Sequence, residues 1–351
     1  MQIPTMEKMQ DCAQKYVVKN YFYYYLFKFS SALGEEIFYI TFLPFTYWNI
    51  NHDVSRRLIM MWCIVMYIGQ VTKDILKWPR PHSPPVVKLE MRAEYGMPST
   101  HAMAATSISF TFCIATINQN KYSLVLGLMA AFVFSTLVCL SRLYTGMHTV
   151  LFTLTELWIL GSKTAVPSCI LDVIGGTLIS AALIVLTYPA WDIIDHLMLT
   201  SPFCPILSIV VPLLLCYNYP KLEDYSPTRA DTTTVLGAGA GATVGFWLNN
   251  LCAAPNYPNQ SLHLSLPPIS EMMMVVLAKF LVGIFILLVT RYFIKGMALR
   301  VLCSRYQVSL NDLEARRRLE IEVPYKFITY SSVGFSATAL VPLVHELLGL
   351  I

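Results

Sequence analysis

Three short stretches gather the side chains that phosphate-ester chemistry needs: Lys73-x6-Arg80-Pro81, Pro98-Ser99-Thr100-His101 and Ser141-Arg142-x5-His148. A transferring phosphoryl group spreads charge over its equatorial oxygens, so positioned cations supply most of the stabilisation. Lys73, Arg80 and Arg142 are those cations. Arginine can grip two oxygens at once, whereas lysine acts as a point charge. Ser99 offers a hydroxyl and, with a helix starting beside it, a backbone N–H at the end that favours anions. Thr100 joins it in the phosphate-binding set. Hydrolysis then needs a nucleophile and a proton donor, and histidine serves as either near neutral pH. The expected division of labour has His148 attack phosphorus, giving a phosphohistidine, while His101 protonates the leaving alkoxide. No His-x3-His, Cys-x2-Cys or Asp-rich cluster offers a metal site, so neither metal nor cofactor is expected. One part is out of place. A carboxylate four residues after His148 would orient its imidazole, and Phe152 stands there.

These groups must be positioned by helices in a bilayer. The 351 residues are 56% hydrophobic and only 13% charged, whereas about a quarter of a soluble domain is charged. That composition predicts an all-α, polytopic transmembrane bundle, and no barrel-like alternation competes with it. The net charge of +4 is small, and its Lys and Arg lie between apolar runs, where they set topology. Membrane lipids are therefore the expected surroundings, and nucleic-acid partners are not expected. The nine cysteines are scattered and never spaced Cys-x2-Cys, as packing residues are. Residues 1–30 are more polar and lack a signal-peptide core, so the first span is expected to direct insertion.

Apolar run lengths predict about nine spans: 31–50, 58–76, 101–117, 122–141, 171–189, 204–218, 234–253, 272–292 and 327–350. Lys73 falls near the end of the second, His101 at the start of the third and Arg142 at the end of the fourth, which puts all three at one membrane face. Glu35 and Glu36, near the start of the first, read as interfacial. The Pro-rich stretch 77–99 and the polar stretches 219–232 and 254–270 read as connectors. Residues 293–326, with Arg316, Arg317 and Arg318 among acids, read as a solvated juxtamembrane helix. Residues 148–161 are too short to span, and Gly161 to Thr164 with Pro167 break any helix, so a re-entrant or looped-out piece is expected there.

The three stretches resemble the signature of the type 2 phosphatidic acid phosphatase superfamily: Lys-x6-Arg-Pro, Pro-Ser-Gly-His and Ser-Arg-x5-His-x3-Asp. The first part matches in full, the second carries Thr100 for glycine, and the third lacks its aspartate at Phe152. The Pro-Ser-Thr-His variant, the segment Lys77-Trp78-Pro79-Arg80-Pro81 and the stretch from Arg316 to Lys326 resemble the sphingosine-1-phosphate phosphatases more narrowly. That likeness runs over nearly the whole chain apart from 151–170. If Leu151 to Ile170 are removed, His148-Thr149-Val150 joins Leu171-Asp172, and His-x3-Asp reappears. The segment reads as an insertion, of the kind a splice variant or a gene-model error leaves.

The resemblance implies a metal-independent lipid phosphatase of the endoplasmic reticulum membrane with a lumenal active site, releasing phosphate from sphingosine 1-phosphate and related long-chain base phosphates. It implies phosphate binding by Lys73, Arg80, Ser99, Thr100 and Arg142, proton donation by His101 and nucleophilic attack by His148. Asp172 would orient His148 only if the insertion folds away, because one continuous helix would set them about 36 Å apart at about 1.5 Å per residue. On this reading 31–190 is the phosphatase core and 191–351 a C-terminal transmembrane region. Counting spans from a lumenal site leaves basic 293–326 lumenal, against the positive-inside tendency, and the sequon at Asn259 cytosolic. An extra crossing through 148–160 would reverse both. Two alternatives stay open: an impaired isoform that binds lipid phosphate or a partner without efficient turnover, and a phosphatase for lysophosphatidic or phosphatidic acid.

Overall fold

Backbone groups inside a bilayer must satisfy one another within a segment, and runs of Leu, Val, Ile and Phe do this as helices. The computed structural model describes residues 20–78, 95–117, 123–144, 168–220, 225–252 and 269–350, and these form helices and connectors with no strand. In chain order the helices are α1 (Tyr21–Ala32), α2 (Glu36–Asn49), α3 (His52–Leu76), α4 (Thr100–Ile117), α5 (Leu124–Tyr144), α6 (Ser168–Thr187), α7 (Trp191–Thr200) and α8 (Cys204–Tyr217). They continue as α9 (Pro227–Cys252), α10 (Ile269–Arg305), the short α11 (Leu313–Arg316), α12 (Leu319–Phe335) and α13 (Val341–Leu347).

Six described segments are long and apolar enough to cross a membrane: His52–Leu76, Thr100–Ile117, Leu124–Tyr144, Leu171–Thr200, Glu271–Arg305 and Leu319–Leu347. The chain is thus a multi-pass membrane protein. The expected count of about nine is larger for identifiable reasons. The run 31–50 is broken into α1 and α2 at Leu33 to Glu35, and α2, like α8, has only 14 residues. Such a helix reaches about 21 Å, short of a hydrocarbon core of about 30 Å. Helix α9 has 26 residues, but Arg229, Asp231, Asn249 and Asn250 lower its hydropathy. Residues 293–305, expected in a juxtamembrane stretch, continue α10 instead.

The described residues divide into two compact units. The first comprises 20–40, 60–189 and 219–229. Its centre is α4, which packs along both α5 and α6, while α5 and α6 meet each other little. Ala102, Met103, Ala104, Ala105 and Ile108 are almost completely buried, so the start of α4 is covered on all sides. Polar contacts fix the register: Thr106 Oγ1 lies 2.7 Å from Ser135 Oγ on α5, and Ser180 Oγ of α6 donates to the Met103 carbonyl at 3.0 Å. Hydrogen bonds between membrane helices contribute about 0.6–2 kcal/mol each. Gly176 lets α6 approach closely, because a Cβ there would stand 2.9 Å from the Ser99 carbonyl oxygen.

The second unit comprises 41–59, 190–218 and 230–350. Helix α9 lies against α12 through Gly241, where a Cβ would fall on the Ser331 carbonyl, the small-residue contact that membrane helices use. After α12 the chain widens into a π-turn over Ser336–Leu340. A π-turn disturbs the helical hydrogen-bond ladder, and side chains meet its carbonyls: Trp48 Nε1 donates to Ala337 at 2.8 Å and Tyr47 OH to Thr338 at 3.3 Å. Phe246, Leu287 and Val341 close the core around them.

Candidate functional site

Lys73 and Asp74 end α3, and both are almost fully buried. Successive helical residues point about 100° apart, so the two face different neighbours. Lys73 Nζ donates to Thr100 Oγ1 at 3.1 Å. Asp74 Oδ2 accepts from Tyr219 OH at 2.7 Å and Thr228 Oγ1 at 2.5 Å. The aspartate thereby anchors the end of α3 that carries the lysine, since hydrogen bonds to a charged group contribute about 1.5–3 kcal/mol.

The Pro98-Ser99-Thr100-His101 stretch opens α4. The Ser99 N–H, expected to face an anion, instead donates to the Asp172 carbonyl at 3.1 Å. The close approach of α6 at Gly176 brings that carbonyl within reach. The hydroxyl of Ser99 is a different matter: Oγ is buried and has no hydrogen-bond partner among the described residues. A buried hydroxyl without a partner costs about 1–3 kcal/mol, which a bound acceptor such as a phosphate oxygen would recover.

His101 and Arg142 meet the corner between α1 and α2. His101 Nε2 lies 3.4 Å from Glu35 Oε1. A carboxylate oxygen in this position can accept from a protonated Nε2 and so orient the ring. Arg142, at the end of α5 and 1% exposed, donates from Nη1 to Ser31 Oγ at 3.0 Å. Lys73 and Arg142 are thus two cations held deep in one unit, and a dianionic ligand is chemistry that such a pair suits.

Asp172, on the first turns of α6, is buried beside Ser99 through its main chain. The structure therefore brings Lys73, Ser99, Thr100, His101, Arg142 and Asp172 into one unit at the ends of α3, α4, α5 and α6. Arg80, His148, Phe152 and most of the segment 151–170 lie outside the described residues. Glu35, Ser31 and Asp74 are site neighbours that the spacing of the three stretches does not reveal. Two signals for them exist in the sequence: Asp74 is ionisable within a span, which marks function or a buried partner, and Glu35 follows Gly34 where an apolar run is interrupted. Glu35, read from the sequence as interfacial, also lies against His101.

Comparison with known proteins identifies relatives along nearly the whole chain. The PAP2 superfamily profile matches residues 55–153, taking in the first two stretches and the third through His148, and stops just inside the segment 151–170. Sphingosine-1-phosphate phosphatase 2 of Homo sapiens is 60% identical over 342 residues, 96% of this chain and 81% of that protein. Its counterpart of the same name in Mus musculus is 58% identical, covering 96% of this chain and 91% of its own. Sphingosine-1-phosphate phosphatase 1 of Rattus norvegicus is 38% identical, covering 95% and 74% respectively. No solved structure matches the chain.

Proposed function

Because the chain belongs to the sphingosine-1-phosphate phosphatase family of the PAP2 superfamily, we propose that it hydrolyses sphingosine 1-phosphate and related long-chain base phosphates to the free base and inorganic phosphate. The observation that carries this reading is the buried start of α4, where the Lys73 ammonium meets Thr100 and the Ser99 hydroxyl has no partner among the described residues. Lys73, Arg80, Arg142, Ser99 and Thr100 bind the phosphate. A ring nitrogen of His148 attacks phosphorus, the ester P–O bond breaks, and the leaving alkoxide takes a proton from His101. Water then attacks the phosphohistidine, losing its proton to His101, and inorganic phosphate departs. Asp172 orients His148, and Glu35 orients His101. No metal takes part in either step. The site faces the lumen of the endoplasmic reticulum.

The test is phosphate release from sphingosine 1-phosphate by the purified full-length chain in detergent. Release continues in EDTA, and His148→Ala abolishes it. Loss of release on chelation, restored by added divalent metal, would refute the metal-free mechanism; a fully active His148→Ala variant would refute the nucleophile.

A further inference from the structure

Between α5 and α6, with α4 as its floor, runs a groove of about 600 Å³ with an almost wholly apolar surface. It exists because α4 packs against both helices while they barely meet each other. One stripe of α5, from Phe132 to Leu143, forms one wall, and one stripe of α6, from Val173 to Val185, forms the other. In each the lining residues recur every three or four positions, which keeps them on one helix face. Small side chains, among them Thr177 and Ala181, keep the middle open. Three of its hydroxyls are turned to other partners: Thr177 Oγ1 donates to the Val173 carbonyl at 2.8 Å, and the Thr106 and Ser135 hydroxyls bond each other. What the groove presents is hydrocarbon.

We infer that this groove holds the single hydrocarbon chain of the lipid phosphate substrate and admits it sideways from the bilayer. The inference rests on the phosphatase reading and extends it to the part of the substrate that the three signature stretches do not read. A shared level with the site points to the occupant. Leu143 directly follows Arg142, and Val173 directly follows Asp172, whose carbonyl holds the Ser99 N–H. One end of the groove thus lies at the same level of the bundle as the phosphate-binding groups, one residue away along each wall. From Val173 to Val185 the wall extends about 18 Å at about 1.5 Å per residue, slightly more than half a hydrocarbon core of about 30 Å, the depth of one lipid chain. Its volume lies within the range of ligand pockets, about 300–1,000 Å³. The rim is open, with Phe132 64% and Val185 74% exposed, so a chain can slide in from the lipid phase without crossing water. One groove takes one chain, which favours a single-chain substrate over a two-chain phosphatidic acid.

The test fills the groove. Ala181→Trp and a control of equal bulk, Val125→Trp on the exposed start of α5, are compared with the wild-type chain on sphingosine 1-phosphate and an eight-carbon long-chain base phosphate. In Ala181→Trp the ratio of kcat/KM for the long chain over the short falls at least tenfold, and Val125→Trp keeps the wild-type ratio. An unchanged ratio in Ala181→Trp, or an equal fall in the control, overturns the assignment. A second measurement reads the groove even if the wild-type chain releases no phosphate, an outcome that would sink the phosphatase reading instead. A long-chain base phosphate carrying a mid-chain diazirine is photolysed on the full-length protein, and the adducts are mapped by mass spectrometry. Labelling within 132–143 and 173–185, competed by excess sphingosine 1-phosphate, supports the assignment. Labelling elsewhere, or labelling that the competitor leaves unchanged as for bulk bilayer lipid, overturns it.

Discussion

Glu35 and His101 lie 66 residues apart in sequence, yet their side chains meet at 3.4 Å. A carboxylate that accepts from Nε2 holds the angle of the ring, so the proton a general acid delivers to a leaving oxygen comes from the other ring nitrogen, Nδ1. Glu35→Gln keeps the size of the side chain and removes its charge. An amide can donate as well as accept, so the variant no longer presents an acceptor alone to Nε2. We expect kcat to fall between about 10- and 100-fold, part of the roughly 10²–10⁴ that a positioned acid contributes, while KM changes by less than about threefold. Steady-state kinetics of the two proteins check this; an unchanged kcat, or a loss expressed only in KM, would remove Glu35 from the proton-donor apparatus. The three signature stretches made Lys73, Thr100, His101 and Arg142 legible because their spacing is local. Their supports were not, because Glu35, Ser31, Tyr219 and Thr228 come from distant segments that only the packing of helices brings close.

At the scale of elements, the turn that opens α4, proposed to bind phosphate, is held by the crossing of α4 and α6. Gly176 stands where a Cβ would meet the Ser99 carbonyl at 2.9 Å and Met103 Cγ at 3.1 Å. A backbone oxygen cannot step aside as a flexible side chain can, so Gly176→Val must separate the helices and pull Asp172 from the Ser99 N–H. Overpacking of this kind costs about 1–3 kcal/mol, and we expect the rate of phosphate release to fall at least tenfold with it. Its neighbour serves as the comparison. A Cβ at Gly175 meets only the end of Met97, at 3.4 Å, so Gly175→Ala should lie within about 0.5 kcal/mol of the parent. Thermal unfolding in detergent and phosphate release distinguish the two variants; equal behaviour would mean that the crossing tolerates separation and does not set the site. Run length locates these helices well but not their breaks. It predicts one span over 31–50, because a hydropathy window averages Gly34 and Glu35 into an apolar run, whereas the chain turns at Leu33 to Glu35 and uses the corner to reach His101 and Arg142.

For the whole molecule, the decisive fact is that Asp172 sits beside Ser99 although 151–170 separates it in sequence from the third signature stretch. An interrupted His-x3-Asp pattern reads as a lost carboxylate only if sequence distance sets spatial distance. In a bundle it does not: α6 meets α4 through Gly176, Ser180 and the Asp172 carbonyl, so Asp172 keeps its place beside Ser99. Lengthening a connection is in general a modest burden, about 0.6 kcal/mol for each doubling of its length. On this argument, a chain lacking 151–170 and the chain as it stands release phosphate from sphingosine 1-phosphate at rates within about threefold of each other. Asp172→Asn should depress both, by as much as the roughly 10⁴-fold seen when an orienting carboxylate is neutralised beside a catalytic histidine. The comparison is made at equal protein in detergent with EDTA present. A deletion that accelerates turnover a hundredfold or more, with Asp172→Asn harmful only in the shortened chain, would instead show that the segment holds His148 away from its carboxylate and that the inserted chain is the impaired form.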